Sequence, residues 1–422
     1  MKMPALVLAL LLAVPVAWPS TGFAREKTQA KEAKAATQAN ANSGYNNEAR
    51  LLDIYRLIGQ AKGREALEKA RAQTTEQPHF QLGQLVYGDL LSAQIRPVRS
   101  LGDVPDTTAR AGALQLAELR EESAQRLKAL RERPAPGQIP AQFVRLSERN
   151  KHAIAIDASR SRLYLFENNA QGTRLVADYY ISVGKQGIDK ATEGDLRTPL
   201  GVYFVTSSLN PKTLKDFYGA GALPINYPNP YDLRRGKTGS GIWLHGTPPN
   251  QFSRAPRATD GCVVLANPDL LRILGLVESR TTPVVIAPSL SWVSPQQSKP
   301  EAANFEEAWT QWRSSKNAAN LQKTLNFYTA DFNSYGKTLQ DWSAVLQQDI
   351  NNAKGRELQY KDISMLHWQE GTAAAPLAAT MVVTFSEVLT GQRTGVTKRQ
   401  YWMRSQTATQ NTWKIFFEGV IG

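Results

Sequence analysis

The chain opens on an uncharged apolar run from Pro4 to Trp18, preceded only by Lys2. That run is shorter than the roughly 20 residues that span a bilayer. Pro15 and Pro19 interrupt it, and the small residues Gly22 and Ala24 follow. The pattern predicts a signal peptide over residues 1–24, cut after Ala24, rather than a membrane anchor. Residues 25–47 are polar and low in complexity, the mark of a flexible tether. From Glu48 the apolar period becomes helical, with Leu51, Ile54, Tyr55 and Ile58, then Ala66, Leu67 and Ala70, then Leu82, Leu85, Val86 and Leu90. Short helices broken by Gly and Pro predict a hairpin similar to a tetratricopeptide unit, without a second copy at a fixed period. "GALQLAELREESAQRLKALRER" predicts one long amphipathic helix with Glu122 and Arg126 on its wet face. This helical region, 48–133, is expected to pack on its own chain or to pair with a second copy as a homodimer.

The period changes beyond the Pro-rich linker 134–145. "HAIAIDASRSRLYLFEN" reads as a β-hairpin, and "ADYYISVGK", "GVYFVTSS", "GIWLHG", "GCVVLA" and "PVVIAP" as further short strands. Short strands separated by turn residues predict a mainly-β domain, a sandwich or barrel, over 146–288. Residues 289–302 form a second linker. The tail, 303–422, runs from a helical start to the alternating strands "AATMVVTFSEVLT", "TKRQYWMRSQ" and "TWKIFFEGVIG". Helices followed by a run of strands predict an α+β domain. The fold class is thus multidomain, with a helical N-terminal region, a β-sandwich and an α+β tail.

Hydrophobic content of 42% and charged content of 21% suit globular domains. The formal net charge of +13 favours an anionic partner. The basic residues are interspersed with acids and form no Lys/Arg block or aromatic-basic motif, which argues against nucleic acid. For an exported chain the expected location is the periplasm, and the expected anionic surface is the cell wall or a membrane. One cysteine, Cys262, cannot form an internal disulfide. In an exported protein such a thiol is an intermolecular partner, an incidental buried residue or a reactive nucleophile.

The neighbours of that thiol favour the nucleophile. His245 ends one strand and Cys262 begins another, so adjacent strands would bring base and nucleophile together across seventeen positions of sequence. Gly261 lets the backbone bend so that amide N–H groups face a developing oxyanion. The stretch His245-Gly246, followed by Thr259, Gly261, Cys262, Val263 and Asn267, resembles the signature of the bacterial L,D-transpeptidases of peptidoglycan. An upstream stretch, "VGKQGIDKATEGDLRTPLGVYFV", resembles that family's lead-in, with Gly184, Lys185, Gly194, Asp195, Thr198, Pro199, Gly201 and Tyr203 in order. The resemblance implies Cys262 as nucleophile, His245 as its base, the Gly246 carbonyl as the group orienting the imidazole, and N–H groups of Asp260, Gly261 and Cys262 as oxyanion donors. It implies peptidoglycan stem peptides as partner, with attack at the bond between meso-diaminopimelate and D-alanine. D-Alanine leaves, and an amine or water then resolves a Cys262 thioester. The chain departs from the family at Asp260, where many members carry histidine, and at Val264, where many carry arginine. Both changes bear on the acyl acceptor.

The tail is similar to nuclear-transport-factor-2-like (NTF2-like) pocket domains, implying an unidentified ligand or glycan for it. The whole architecture resembles the cell-shape-determining L,D-carboxypeptidases of helical bacteria, in which water resolves the thioester. Transpeptidase and carboxypeptidase therefore both stand, beside a wall-linked lipoprotein amidase and a non-catalytic wall-binding scaffold. Thr259, Lys185, Arg197, Tyr227 and Asn267 are candidate substrate contacts. His79 reads as a surface residue, His152 and His367 as structural, and Trp309, Trp312, Phe327 and Tyr328 as core. No cofactor is expected, and no His, Cys, Asp or Glu cluster has metal-ligand spacing.

Overall fold

The computed structural model of the chain describes residues 47–421 except 296, 298, 354, 373, 374, 408 and 409. The expected signal peptide and nearly all of the tether lie outside these residues. No described helix is long and apolar enough to cross a membrane. Helix α1 (47–59) is followed by α2 (Gly63–Glu76), α3 (Gln81–Ser92), α4 (Asp106–Ala111) and α5 (Ala113–Arg131). Leu51, Ile54, Ala66, Ala70, Leu82 and Val86, spaced for one helical face, are buried together with Phe80. The same cluster takes in Phe252 and Ala266 of the central mainly-β domain, so the helical region packs on its own chain. Glu122 and Arg126 of α5 correct the expectation of a wet face, because only 2% and 3% of their surface is exposed. The polar stripe of α5 faces the central domain; there Arg126 pairs with Glu122 and Glu48, and Glu122 accepts a hydrogen bond from Ser253.

Residues between the two linkers build one nine-stranded mixed sheet. Its strands are β3 (His152–Asp157), β4 (Arg162–Asn169), β5 (Gly172–Gly184), β6 (Gly201–Phe204), β7 (Ala222–Pro224), β8 (Trp243–His245), β9 (Arg257–Thr259), β10 (Val263–Leu265) and β11 (Pro283–Ala287). They lie in the order β6-β11-β3-β4-β5-β10-β8-β7, with β9 beside β5. β3 and β4 form the expected hairpin, turned by the short 3-10 segment Ala158–Arg160. Strands from both ends of this order, through Tyr203 of β6 and Leu223 of β7, share one core with Ile154, Leu163, Tyr179, Leu244, Val263 and Ile286. The sheet therefore curls over its own contents, and helix α7 (Asn267–Leu274) adds Leu270 and Ile273.

The two stretches read as linkers pair with each other and with the tail. β1 (Ile139–Pro140) runs antiparallel to β12 (Trp292–Val293), and β2 (Phe143–Arg145) adds an edge to the C-terminal sheet, against β15. That sheet has the order β18-β17-β16-β15-β2, from β15 (Leu358–Thr372), β16 (Ala375–Leu389), β17 (Val396–Thr407) and β18 (Gln410–Val420). One face packs on α8 (Lys299–Asn317) and α10 (Leu339–Ala353) through Trp309, Trp312, Leu346, Phe385 and Trp402. The opposite face, with Leu366, Trp368, Val382 and Tyr401, packs on Ala153, Tyr164 and Phe204 of the central domain and on Leu290 of the second linker.

Candidate active site

β8 and β10 are neighbouring parallel strands, with Val263 opposite Leu244 and Val264 opposite His245. Cys262, at the mouth of β10, and His245, at the end of β8, line one cavity of about 220 Å³. His245 Nδ1 lies 2.8 Å from the Gly246 carbonyl. A carbonyl only accepts, so Nδ1 carries the proton and Nε2 keeps its lone pair for a thiol. Burial holds the imidazole pKa down at about 4, against the small opposing effect of that carbonyl bond. The Cys262 pKa is raised, first by burial and then by the Asp260 charge; a Trp243 backbone N–H, Arg254 and Lys190 counteract it. The resting pair at neutral pH is therefore neutral thiol beside neutral imidazole. The thiol also contacts the Gly241 carbonyl at 3.5 Å.

Two glycines are required by space. A Cβ on Gly246 would stand 2.0 Å from Asn267 Oδ1. Gly261 has φ +125°, and a Cβ there would meet the Arg197 carbonyl at 2.8 Å. The turn is knotted by Thr259, whose Oγ1 donates to the Cys262 carbonyl at 2.7 Å and accepts the Gly261 N–H at 3.1 Å. The Gly261 N–H is thus already committed, which corrects its expected place as a free oxyanion donor. The lead-in stretch braces this turn from below. Thr198, fully buried, donates to the Gly261 carbonyl at 2.9 Å and accepts the Gly184 N–H at 2.9 Å. Lys190 and Asp195 pair at 2.8 Å and close the intervening loop. The two motifs that are distant in sequence are one mechanical unit.

The candidate substrate contacts separate. Thr259 lines the cavity but is spent on the turn. Asp260 lines it with an exposed carboxylate, 2.9 Å from Lys185 Nζ. The Asn267 amide donates to the Thr247 carbonyl at 2.8 Å and accepts the Ala220 N–H at 2.9 Å, so it is a brace for the His245–Gly246 turn. Tyr227 is a core residue whose hydroxyl donates to Thr238. Arg197 is exposed and donates to the Ile188 carbonyl. Neither lines the cavity, which corrects the expectation for both. His79 is exposed, and Trp309 and Trp312 are core, as read.

Sequence reasoning missed Phe217, Tyr218 and Arg254. Tyr218 stands edge-on to the His245 ring at 5.0 Å and Phe217 lies 5.8 Å from it. The Arg254 guanidinium covers Phe217 at 4.6 Å, and burial lowers its pKa. Arg254 and Phe217 also line an adjoining groove of about 480 Å³ between α5 and the loop 248–258. The available signal was position, because a loop between His245 and Cys262 must return to the cavity that both line. Phe217 and Tyr218 sit in a three-residue turn that carries no pattern.

Comparison with known proteins follows this geometry. The family model for the L,D-transpeptidase catalytic domain (YkuD) matches residues 151–286, and that for the Cds6 C-terminal NTF2-like domain matches 304–419. No curated protein sequence matched the chain. Bd1075 of Bdellovibrio bacteriovorus is 24% identical, with a TM-score of 0.54 over 67% of this chain and 98% of that one. The helical cell shape determining protein Pgp2 of Campylobacter jejuni is 18% identical, with a TM-score of 0.49 over 71% of this chain and 99% of that one. The likeness to Bd1075 is one of fold. The chain carries an L,D-transpeptidase catalytic domain over residues 151–286, followed by a Cds6 C-terminal NTF2-like domain over 304–419.

Proposed function

We propose that the chain is an exported L,D-transpeptidase acting in the periplasm on tetrapeptide stems of peptidoglycan. The observation that carries this reading is the cavity shared by Cys262 and His245, with the imidazole tautomer fixed by Gly246. As the sulfur attacks the carbonyl at the L-centre of meso-diaminopimelate, the thiol proton passes to His245 Nε2. The imidazolium then gives that proton to the departing D-alanine amine, leaving a Cys262 thioester. N–H groups of Asp260 and Cys262 serve the oxyanion. Arg254, a half-buried cation at the cavity, suits the terminal carboxylate of the donor stem. The adjoining groove, which shares Arg254 and Phe217, offers room for a second stem whose amine resolves the thioester.

The half-exposed position of Cys262 favours a second reading, in which water resolves the thioester and the enzyme is an L,D-carboxypeptidase. Disaccharide-tetrapeptide and its dimer, incubated with wild type and Cys262→Ala and followed by mass spectrometry, separate the two. A 3–3 crosslinked dimer formed only by wild type supports the transpeptidase. Tripeptide without crosslinks replaces it by the carboxypeptidase. Turnover surviving in Cys262→Ala, or intact substrate with both, overturns the thioester mechanism.

A further inference from the structure

A second cavity, about 240 Å³, lies on the seam between the catalytic and C-terminal domains and shares no residue with the cavity around Cys262. Arg399 of β17 contributes a guanidinium to it, with 5% of the residue exposed. Its Nε donates to Thr384 Oγ1 at 2.9 Å, one Nη donates to the Arg280 carbonyl at 3.1 Å, and its plane lies 3.2 Å over the Phe204 ring. None of these partners carries a counter-charge, and among the described residues no carboxylate pairs with Arg399. Burying a guanidinium unneutralised is costly, and a planar donor fork matches an oxyanion. Burial lowers the Arg399 pKa to about 10, so the group stays charged at neutral pH.

The rest of the lining has the same bias. Arg149 and Arg280, both exposed, add two cations. The one carboxylate there, Asp362, stands 3.5 Å from Arg149. Ser386 and Thr384 supply hydroxyls. On the far face of the same sheet the buried charges are already balanced. Lys316 lies 2.5 Å and Lys398 2.7 Å from Glu387, and Lys398 is 2.7 Å from Asp349. The unmet demand for negative charge is on the seam.

We propose that the seam cavity is an oxyanion-binding site that takes the carboxylate or phosphate group of a small anion against Arg399, with Arg149 and Arg280 at its mouth. Arg149 and Arg280 precede the C-terminal domain in the chain and Arg399 belongs to it, so a bound anion ties the two domains together.

The test is thermal unfolding of the full chain titrated with sodium phosphate or sodium acetate, at ionic strength held constant with KCl. Wild type is expected to show a saturable rise in Tm of roughly 3 °C at about ten-fold excess over Kd. Arg280→Glu, on an exposed residue, is expected to weaken that response about ten-fold, the loss that 1.4 kcal/mol of binding represents. Arg399→Gln is expected to abolish it; Arg280→Glu serves where that variant fails to fold. A response to phosphate alone assigns the ligand group as phosphate, and a response to acetate alone as carboxylate, each supporting the site. No saturable response to either anion, or one unchanged in Arg280→Glu, overturns it.

Discussion

The catalytic domain is held on two sides by seams of opposite chemistry. Against the helical region the apolar contact on Phe252 and Ala266 is joined by a buried ionic one. Arg126 lies 2.7 Å from Glu122 and 2.9 Å from Glu48, and Arg162 joins Glu48 at 2.7 Å to Asp178 at 2.6 Å. The Arg126 guanidinium also lies 4.0 Å over the Tyr180 ring. Against the C-terminal domain the centre is apolar, Trp368, Val382, Tyr401 and Phe416 on Tyr164, Phe204 and Leu290. There the ion pairs Arg234–Asp331 and Arg235–Glu370 are more exposed. The ionic seam also touches the chemistry, because Glu122 holds Ser253 at 2.8 Å, next to Arg254. An apolar seam fixes where a domain sits and tolerates small shifts, whereas directional charge pairs fix the loop they hold. The side of the domain that needs a loop placed accurately has the ionic seam.

The largest effects come from breaking each seam at its centre. Arg126→Met leaves Glu122 buried without its cation and Glu48 with Arg162 alone, and is expected to cost about 3–5 kcal/mol. Trp368→Ala opens a cavity in the other seam and is expected to cost about as much, roughly 3–5 kcal/mol. Their kinetics differ. Below the unfolding transition, Arg126→Met is expected to lower kcat/KM on the order of 10²-fold through a displaced 248–258 loop. Trp368→Ala leaves it near wild type. Equal losses of activity in the two variants would sink the distinction between the seams.

A pH titration sharpens it further. Burial would raise the Glu48 pKa, but Arg162 and Arg126 outweigh burial and hold it at about 2, against 4.5 when unfolded. Its contribution, on the order of 3 kcal/mol, is fully present above pH 4.5 and is lost as pH falls through 2. Asp269, at the start of α7, is raised by burial, and then by the Glu48 charge, from 3.8 to about 7. The folded chain keeps a proton that the unfolded chain has released, so this group's contribution declines as pH rises from 3.8 towards 7. The ionic seam is therefore tightest near pH 4, where the gain from Glu48 and the loss from Asp269 cancel. Hydrogen exchange of residues 47–131 is expected to be slowest there after correction for intrinsic rates. A monotonic dependence across pH 3–8 would mean that these carboxylates do not govern the seam.

Much of this was legible in the sequence. The change from helical to alternating period marked the three regions, and the glycines around His245 and Cys262 marked the turn that bears the thiol. What stayed hidden depended on the far side of an interface. Amphipathicity gives α5 a polar stripe but says nothing of what it faces, so Glu122 and Arg126 read as solvated. β2 is three residues long, too short to show a period, and it pairs with a strand more than two hundred positions away. Asn267 and Tyr227 belong to scaffold because local backbone groups claim their polar atoms, and sequence does not show those groups. Arg254 needed the path of its loop, which the helical region sets through Phe80 and Phe252, 4.5 Å apart.

The smallest effect tests the link between seam and site directly. Ser253→Ala removes one hydrogen bond to a buried carboxylate and leaves Arg254 and the apolar contact of Phe252 in place. A bond of this kind is worth about 1.5–3 kcal/mol, and Glu122 keeps its Arg126 partner, so the loss of stability is expected at the low end, about 1.5 kcal/mol. If Ser253 positions the Arg254 loop, KM for the proposed tetrapeptide donor is expected to rise several-fold with kcat little changed, because Cys262 and His245 stand at β10 and β8 rather than on that loop. A purely structural Ser253 would lower Tm and leave KM alone. Repeating the measurement with Glu122→Gln, which retains an acceptor for Ser253 but not the charge, separates the loss of the bond from the loss of the ionic seam. A KM that rises in Ser253→Ala and stays put in Glu122→Gln assigns the loop's placement to the hydrogen bond. A rise in both assigns it to the charge network that only the helical seam possesses.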